Sequence, residues 1–253
     1  MKLSALLAAA LLPGSPVAAQ APGDLSPNGS ALHANVIEIS LVAENPFSAH
    51  YSIQLSRISD EGSVETMSAD TNVARDRDGR VYRERHRLTP AGTDEPSGPT
   101  SIFILDPVAH TATTCEVAAR RCTVTGYHGP QLLRPPPDGS LDAGVHFVSS
   151  QNLGDDIIEG LRATGAQQAV TSRGGWPECQ PEVSMREIWY SPDLGVNLSV
   201  IRKGPKNVME VIRVVDLSRT DPDPALFQMP ANFTVEDRHI LRSGGLPQAA
   251  TNQ

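Results

Sequence analysis

Three cysteines are the residues whose chemistry is simplest to place in this chain of 253 residues. Cys115 and Cys122 are separated by Glu116-Val-Ala-Ala-Arg-Arg121, and a hairpin centred on Ala118-Ala119 sets position 115 directly opposite position 122. Opposed α-carbons in an antiparallel pair lie about 4.5 to 5.5 Å apart, within the range that a disulfide accepts. A Cys115–Cys122 bridge is therefore expected in an oxidising compartment. Cys179, in Gly-Gly-Trp-Pro-Glu-Cys-Gln-Pro, is either a leftover thiol or an alternative partner for one of the other two. The C-x6-C spacing with no histidine beside it is not one that structural zinc uses, so no metal is expected.

Charge gives two further candidates. Arg75, Arg77, Arg80, Arg83, Arg85 and Arg87 concentrate positive charge in a chain whose net charge is −8. Strand alternation places Arg83, Arg85 and Arg87 on one face, a candidate patch for an anionic partner. Asp78-Gly79 reads as a two-residue hairpin turn between 71–77 and 80–88. That register gives the arginine face Asn72, Ala74 and Asp76 as company, which makes it the solvated side, and leaves Val73, Tyr82 and Leu88 for the core. Glu187 shares a strand face with Met185 and Trp189 and is a candidate pocket acid. On a dry face its carboxylate needs a partner such as an arginine.

Other constellations fall short of chemistry. Asp76-Arg77-Asp78-Gly79 looks like a piece of a calcium loop, but the first and twelfth ligand positions would be Ala74 and Arg85. Asp155-Asp156 reads as a solvated turn. The seven histidines form no H-x-x-x-H or H-E-x-x-H pair, and no G-x-S-x-G elbow, S-x-x-K, phosphate loop or dinucleotide fingerprint occurs. No catalytic residue, metal or cofactor is assigned.

The elements that would carry these residues have a period of two. Phe47, Ala49, Tyr51, Ile53 and Leu55 alternate with polar residues, as a half-buried strand does. Strands follow over 101–106 and from about 110, then over 185–190, 196–202 and 208–215 as a meander joined by Ser191-Pro192-Asp193-Leu194-Gly195 and Gly204-Pro205-Lys206-Asn207. A helix is expected over 141–153, where Ser140 could cap it. The class is mainly β: an antiparallel sheet with one or two short helices, in a single domain over 35–242 between a flexible lead-in at 20–34 and a flexible tail at 243–253.

The start of the chain has the form of a secretory signal peptide: Lys2, an apolar run from Leu3 to Leu12, Pro13-Gly14, and cleavage expected after Ala19. That run is too short to span a bilayer, which takes about 20 residues. With no cysteine just after the signal, a lipoprotein is not expected. The net charge of −8 speaks against nucleic-acid binding, because phosphate contacts need a basic surface. A periplasmic or secreted location follows.

Several segments, taken in order, resemble a group of exported proteins abundant in acidobacteria and uncharacterised in function. They are Asn45-Pro46-Phe47-Ser48-Ala49, Ala74-Arg75-Asp76-Arg77-Asp78-Gly79-Arg80-Val81, Ile104-Leu105-Asp106-Pro107-Val108, Leu153-Gly154, Ile158-Glu159-Gly160-Leu161-Arg162-Ala163-Thr164-Gly165, Glu187-Ile188-Trp189-Tyr190-Ser191-Pro192-Asp193-Leu194 and Pro222-Asp223-Pro224-Ala225-Leu226-Phe227-Gln228-Met229-Pro230. The closing Asp-Pro-x-Leu-Phe-x-x-Pro-x-x-Phe pattern, Asp223 to Phe233, also resembles the end of periplasmic lipoprotein-carrier and lipoprotein-sorting domains. That resemblance implies a curved half-barrel sheet whose concave face takes up acyl chains. The leading reading is a non-enzymatic β domain that holds a lipid or other apolar ligand in a concave sheet face. The alternatives are a cell-envelope interaction module using the Arg83, Arg85 and Arg87 face and, least favoured, an enzyme.

Overall fold

The computed structural model describes residues 37, 39–40, 43–59, 61–93, 98–127, 138–141, 146–172 and 180–239. The first half of the chain supplies β1 (Phe47–Ile58), β2 (Val64–Arg75), β3 (Val81–His86), the short β4 (Thr89–Pro90), β5 (Pro99–Asp106), β6 (Thr111–Glu116) and β7 (Arg121–Gly126). The second supplies β8 (Gly139–Leu141), β9 (His146–Ile158), β10 (Leu161–Ser172), β11 (Glu182–Ser191), β12 (Val196–Lys203), β13 (Met209–Ser218) and β14 (Thr234–Asp237). All belong to one open, curved sheet in the order β14-β7-β6-β5-β3-β2-β1-β13-β12-β11-β10-β9-β8, with β4 attached to β2. Every pairing is antiparallel except that of β14 with β7.

Each half is a run of neighbouring hairpins, which is what short turns between alternating strands build. The halves meet where β1 pairs with β13, from Ser48 opposite Ser218 to Ser56 opposite Met209. Here the apolar alternation seen in the sequence is cashed in. Phe47, Ala49 and Tyr51 of β1, Val73 of β2, and Ile212 and Val214 of β13 join Val196, Leu198 and Val200 in the main core. Ile37 and Leu194 lie in the same cluster, with Trp189 packed against it. The Tyr51 hydroxyl donates to the carbonyl of Asn197 at 2.9 Å, and burial pushes its pKa upward.

Arg75 closes the core at one end. It is fully buried and donates to the carbonyls of Asn45, Ser40 and Leu194, with its guanidinium 5.1 Å from the centre of the Phe47 ring. The residues just before β1 are thereby tied to the β11–β12 turn. Gly195 in that turn sits at φ +65, and a Cβ there would meet the Ser40 Cβ at 2.7 Å, so glycine is required both by conformation and by space.

After β13 the chain crosses the other face of the sheet as a strap. Asp223 accepts from the Ala225 amide at 2.9 Å and starts a 3-10 turn, Pro224–Phe227. Phe227 and Leu226 pack on Ala74, Tyr82 and Ile104 in a second cluster, where full burial of a phenylalanine is worth roughly 1.5–3 kcal/mol. Arg80 lies 5.2 Å from the Phe227 ring centre and Arg77 pairs with Asp221 at 2.8 Å. The closing pattern Asp223 to Phe233 is thus the strap that leads to β14.

Cys115 and Cys122 face each other across the β6–β7 hairpin and are joined by a disulfide, in the register expected from the sequence. Cys179 lies outside the described residues, as do the signal segment, most of the lead-in and the tail.

Two expectations are corrected. The helix expected over 141–153 does not form in its described part: Gly139–Leu141 is β8 and His146–Ile158 is β9, paired with β10 along its length. Leu141, Val145 and Val148 have helical spacing, but the ladders with β8 and β10 satisfy the backbone groups of β9 and decide the outcome. Asp155 and Asp156 accordingly sit inside β9, opposite Thr164 and Ala163, instead of in a turn. The described residues contain only two short 3-10 turns, Pro205–Asn207 and Pro224–Phe227.

The second correction moves the arginines. The Asp78-Gly79 hairpin pairs Val73 with Arg83 and Arg75 with Val81. The Asp76 amide donates to the Arg80 carbonyl, leaving a loop of Arg77-Asp78-Gly79 with Gly79 at φ +81. That is the three-residue hairpin form with a left-handed glycine, one residue longer than the expected turn. The Asp76 carboxylate stabilises it by accepting from the amides of Asp78 at 3.1 Å and Arg80 at 2.8 Å. One residue of register exchanges the faces of a whole strand. Arg83 consequently shares the face of Val73, while Tyr82 turns to Ala74 and the strap.

Candidate functional site

The concave face holds a cavity of about 570 Å³. It lies beside a break in the sheet. The β2–β3 ladder runs only from Arg75 to Val73, and β2 takes up β4 at Ser68 and Met67. Between these points the Thr71 hydroxyl donates to the Glu84 carbonyl and bridges the gap.

The floor comes from the seam between the halves: Ile53 of β1, Ala69 and Thr71 of β2 and Ile212 of β13, with Ile37 from the segment before β1. Arg83, Arg85 and Arg87 line one side, and Phe103 and Thr114 continue the wall across β5 and β6. Cross-strand pairing puts Arg83 opposite Phe103, and its guanidinium lies 5.2 Å from the ring centre. Burial, together with the like charge of Arg85, pulls Arg83 below the usual arginine range. Three acidic residues also line the cavity, Glu84, Glu116 and the buried Glu210. Glu210 stands opposite Arg202 on β12, with a nitrogen–oxygen distance of 3.7 Å.

The sequence candidates therefore separate. Arg83, Arg85 and Arg87 are together beside the cavity, with Arg83 half-buried and Arg85 and Arg87 exposed. Glu187 does not line this cavity; its carboxylate accepts from the Trp189 indole N–H at 2.9 Å, which supplies a partner on that face. The fully buried acid of the cavity is Glu210, whose signal was present in Met209-Glu210-Val211-Ile212: a carboxylate in the apolar register of its strand. Phe103 was legible only once the hairpin register was known.

A carboxylate-centred network occupies the opposite face. Glu84 accepts from the Tyr82 hydroxyl at 2.6 Å, from Asn72 at 2.8 Å, and lies 2.8 Å from the His86 ring nitrogen. Burial raises the Glu84 pKa, but these three hydrogen bonds outweigh it and the net shift is downward. A smaller hollow of about 270 Å³ lies there, against Leu226 of the strap. Among the described residues, no group of three or more His, Cys, Asp or Glu side chains is placed to hold a metal ion. No helix among them is long and apolar enough to cross a membrane.

Fold and site together define an open-sheet β domain with a basic-walled hollow on its concave face. No protein-family model matches the chain, and no curated protein matches it. Solved structures do. The Pseudomonas aeruginosa MucA/MucB complex is 18% identical over 76% of this chain and 58% of that one, with a TM-score of 0.36. A putative outer membrane lipoprotein-sorting protein domain from Vibrio parahaemolyticus is 10% identical over 73% of this chain and 89% of that one, with a TM-score of 0.29. A LolA superfamily protein from Nitrosomonas europaea is 9% identical over 74% and 91%, with a TM-score of 0.27. The chain spans 56 to 60% of the length of the MucB chains it matches.

Proposed function

We propose that this protein is an exported carrier or sensor that holds an apolar ligand in the concave cavity. The observation that carries the reading is the cavity itself. Protein interiors are close-packed, and voids larger than a water molecule are few. A hollow of about 570 Å³, floored by Ile37, Ile53, Ala69 and Ile212, falls within the roughly 300–1,000 Å³ typical of small-molecule sites. The apolar floor is suited to a hydrocarbon segment, whose burial is worth about 0.8 kcal/mol per methylene. The Cys115–Cys122 disulfide accords with an oxidising compartment, and we place the protein in the periplasm or outside the cell, after removal of the segment ending at Ala19.

Native mass spectrometry of protein purified from its own envelope, before and after organic extraction, tests the reading. A discrete lipid-sized mass is expected to be lost on extraction and regained on re-exposure to the extract. A protein whose mass never changes, and which takes up no extracted lipid, has a concave face that serves only as core.

A further inference from the structure

We infer that the cavity selects an anionic amphiphile: a single apolar chain ending in a carboxylate or phosphate, with the chain over the Ile53–Ala69–Ile212 floor and the head against Arg83 and Arg85. The inference rests on the apolar-ligand reading and adds the headgroup. Its basis is the juxtaposition of charge and apolar surface that the hairpin register creates. Arg83, Arg85 and Arg87 follow one another at every second residue, about 6.6 Å apart along the strand. Their row adjoins Val73, Thr71 and Ala69 on β2, beside which β1 contributes Ala49, Tyr51 and Ile53.

Two features make this row unusual for structural arginines. Among the described residues no carboxylate lies within ion-pair distance of Arg83 or Arg85, although the chain carries an excess of acids. The three acids of the cavity wall do not supply one: Glu84 is taken up by Tyr82, Asn72 and His86, and Glu210 faces Arg202. Arg83 is also half-buried and backed by the Phe103 ring, which fixes the guanidinium plane while leaving its N–H groups for a ligand. A planar fork held beside an apolar floor matches a carboxylate or phosphate monoester attached to a hydrocarbon chain.

The test uses the full mature chain after organic extraction, titrated calorimetrically with dodecanoate, dodecyl phosphate, dodecanol and inorganic phosphate. Both anionic amphiphiles are expected to bind about 10- to 100-fold more tightly than dodecanol. The advantage should shrink as salt is raised and fall towards unity in Arg83→Gln/Arg85→Gln, while Arg57→Gln/Arg77→Gln, which removes the same charge from two exposed positions outside the cavity, retains it. If the double variant does not fold, Arg85→Gln alone, at an exposed position, is expected to lose part of the advantage. Which head binds better assigns the carboxylate or the phosphate. Equal affinity for dodecanol and the anions overturns the headgroup inference and leaves the apolar-ligand reading standing. Inorganic phosphate as tight as dodecyl phosphate also overturns it, in favour of a bare anion site. No binding of any chain-bearing probe overturns both.

Discussion

Replacing Arg75 by methionine isolates an unusual clamp, because a fully buried cation here is held by carbonyl groups and an aromatic ring rather than by a carboxylate. The side chain has no exposed surface. It gives 3.0 and 2.7 Å hydrogen bonds to Asn45 and one of 2.7 Å to Leu194, and also donates to Ser40. Methionine keeps much of the apolar stem and leaves three carbonyls without this donor, that of Leu194 buried and those of Asn45 and Ser40 part-buried. At about 1–3 kcal/mol for each unsatisfied group, the gross loss is roughly 3–9 kcal/mol. Removing the guanidinium also removes its desolvation penalty, several kcal/mol in a buried site, so the net destabilisation is about 2–5 kcal/mol. Against a domain stability of about 5–15 kcal/mol, that is a large share. Urea unfolding followed by tryptophan emission measures it, and Arg75→Lys should lose nearly as much, since an ammonium cannot span the same three acceptors. A loss below about 0.5 kcal/mol in Arg75→Met, or a lysine variant as stable as the parent, would refute the clamp.

Glu84 predicts a pH dependence. Its pKa is lower in the folded protein than the ordinary 4.5, so the unfolded chain binds more protons as the medium is acidified. The stabilisation is fully present above the unfolded value and is lost as pH falls through the folded one. Glu84→Gln should flatten the acid limb of stability against pH, measured by chemical unfolding in steps from neutral pH downward. Gly165 predicts a packing limit: a Cβ there would meet the Trp189 ring at 2.7 Å and the Leu153 Cβ at 2.9 Å. Gly165→Ala should destabilise by about 1–3 kcal/mol and shift the tryptophan emission; an unchanged spectrum and stability would show that the ring moves aside freely.

What could be read from the sequence divides along physical lines. Alternation located β1, β5, β6 and the β11–β13 meander, because a sheet with one dry face writes its period directly into the chain. The Cys115–Cys122 pairing was legible because a hairpin fixes opposite partners locally. The faces of the arginine row were not. They hang on a single residue of loop length, decided by how the Asp76 carboxylate organises the amides of Asp78 and Arg80. A glutamate such as Glu210 is a visible anomaly in an apolar register, but that it meets the arginine row in one cavity follows from β1 pairing with β13, and no local pattern encodes a partner so far along the chain. The 141–153 segment erred for the opposite reason: its local preference was weak and the β10 ladder decided.

The β1–β13 seam also dictates an order of events. Nearly every other pairing joins neighbours in sequence and can form early, at the small entropic cost of closing a short loop. Drawing Ser48 to Ser218 encloses most of the chain, so the seam is the high-contact-order step and sets the folding rate. The cavity floor straddles that seam, with Ile53 and Ala69 arriving from one half and Ile212 from the other. The hollow is therefore completed late, and a ligand of the proposed kind seated across it would act as a late-stage fastener, slowing the parting of the two halves more than it speeds their meeting.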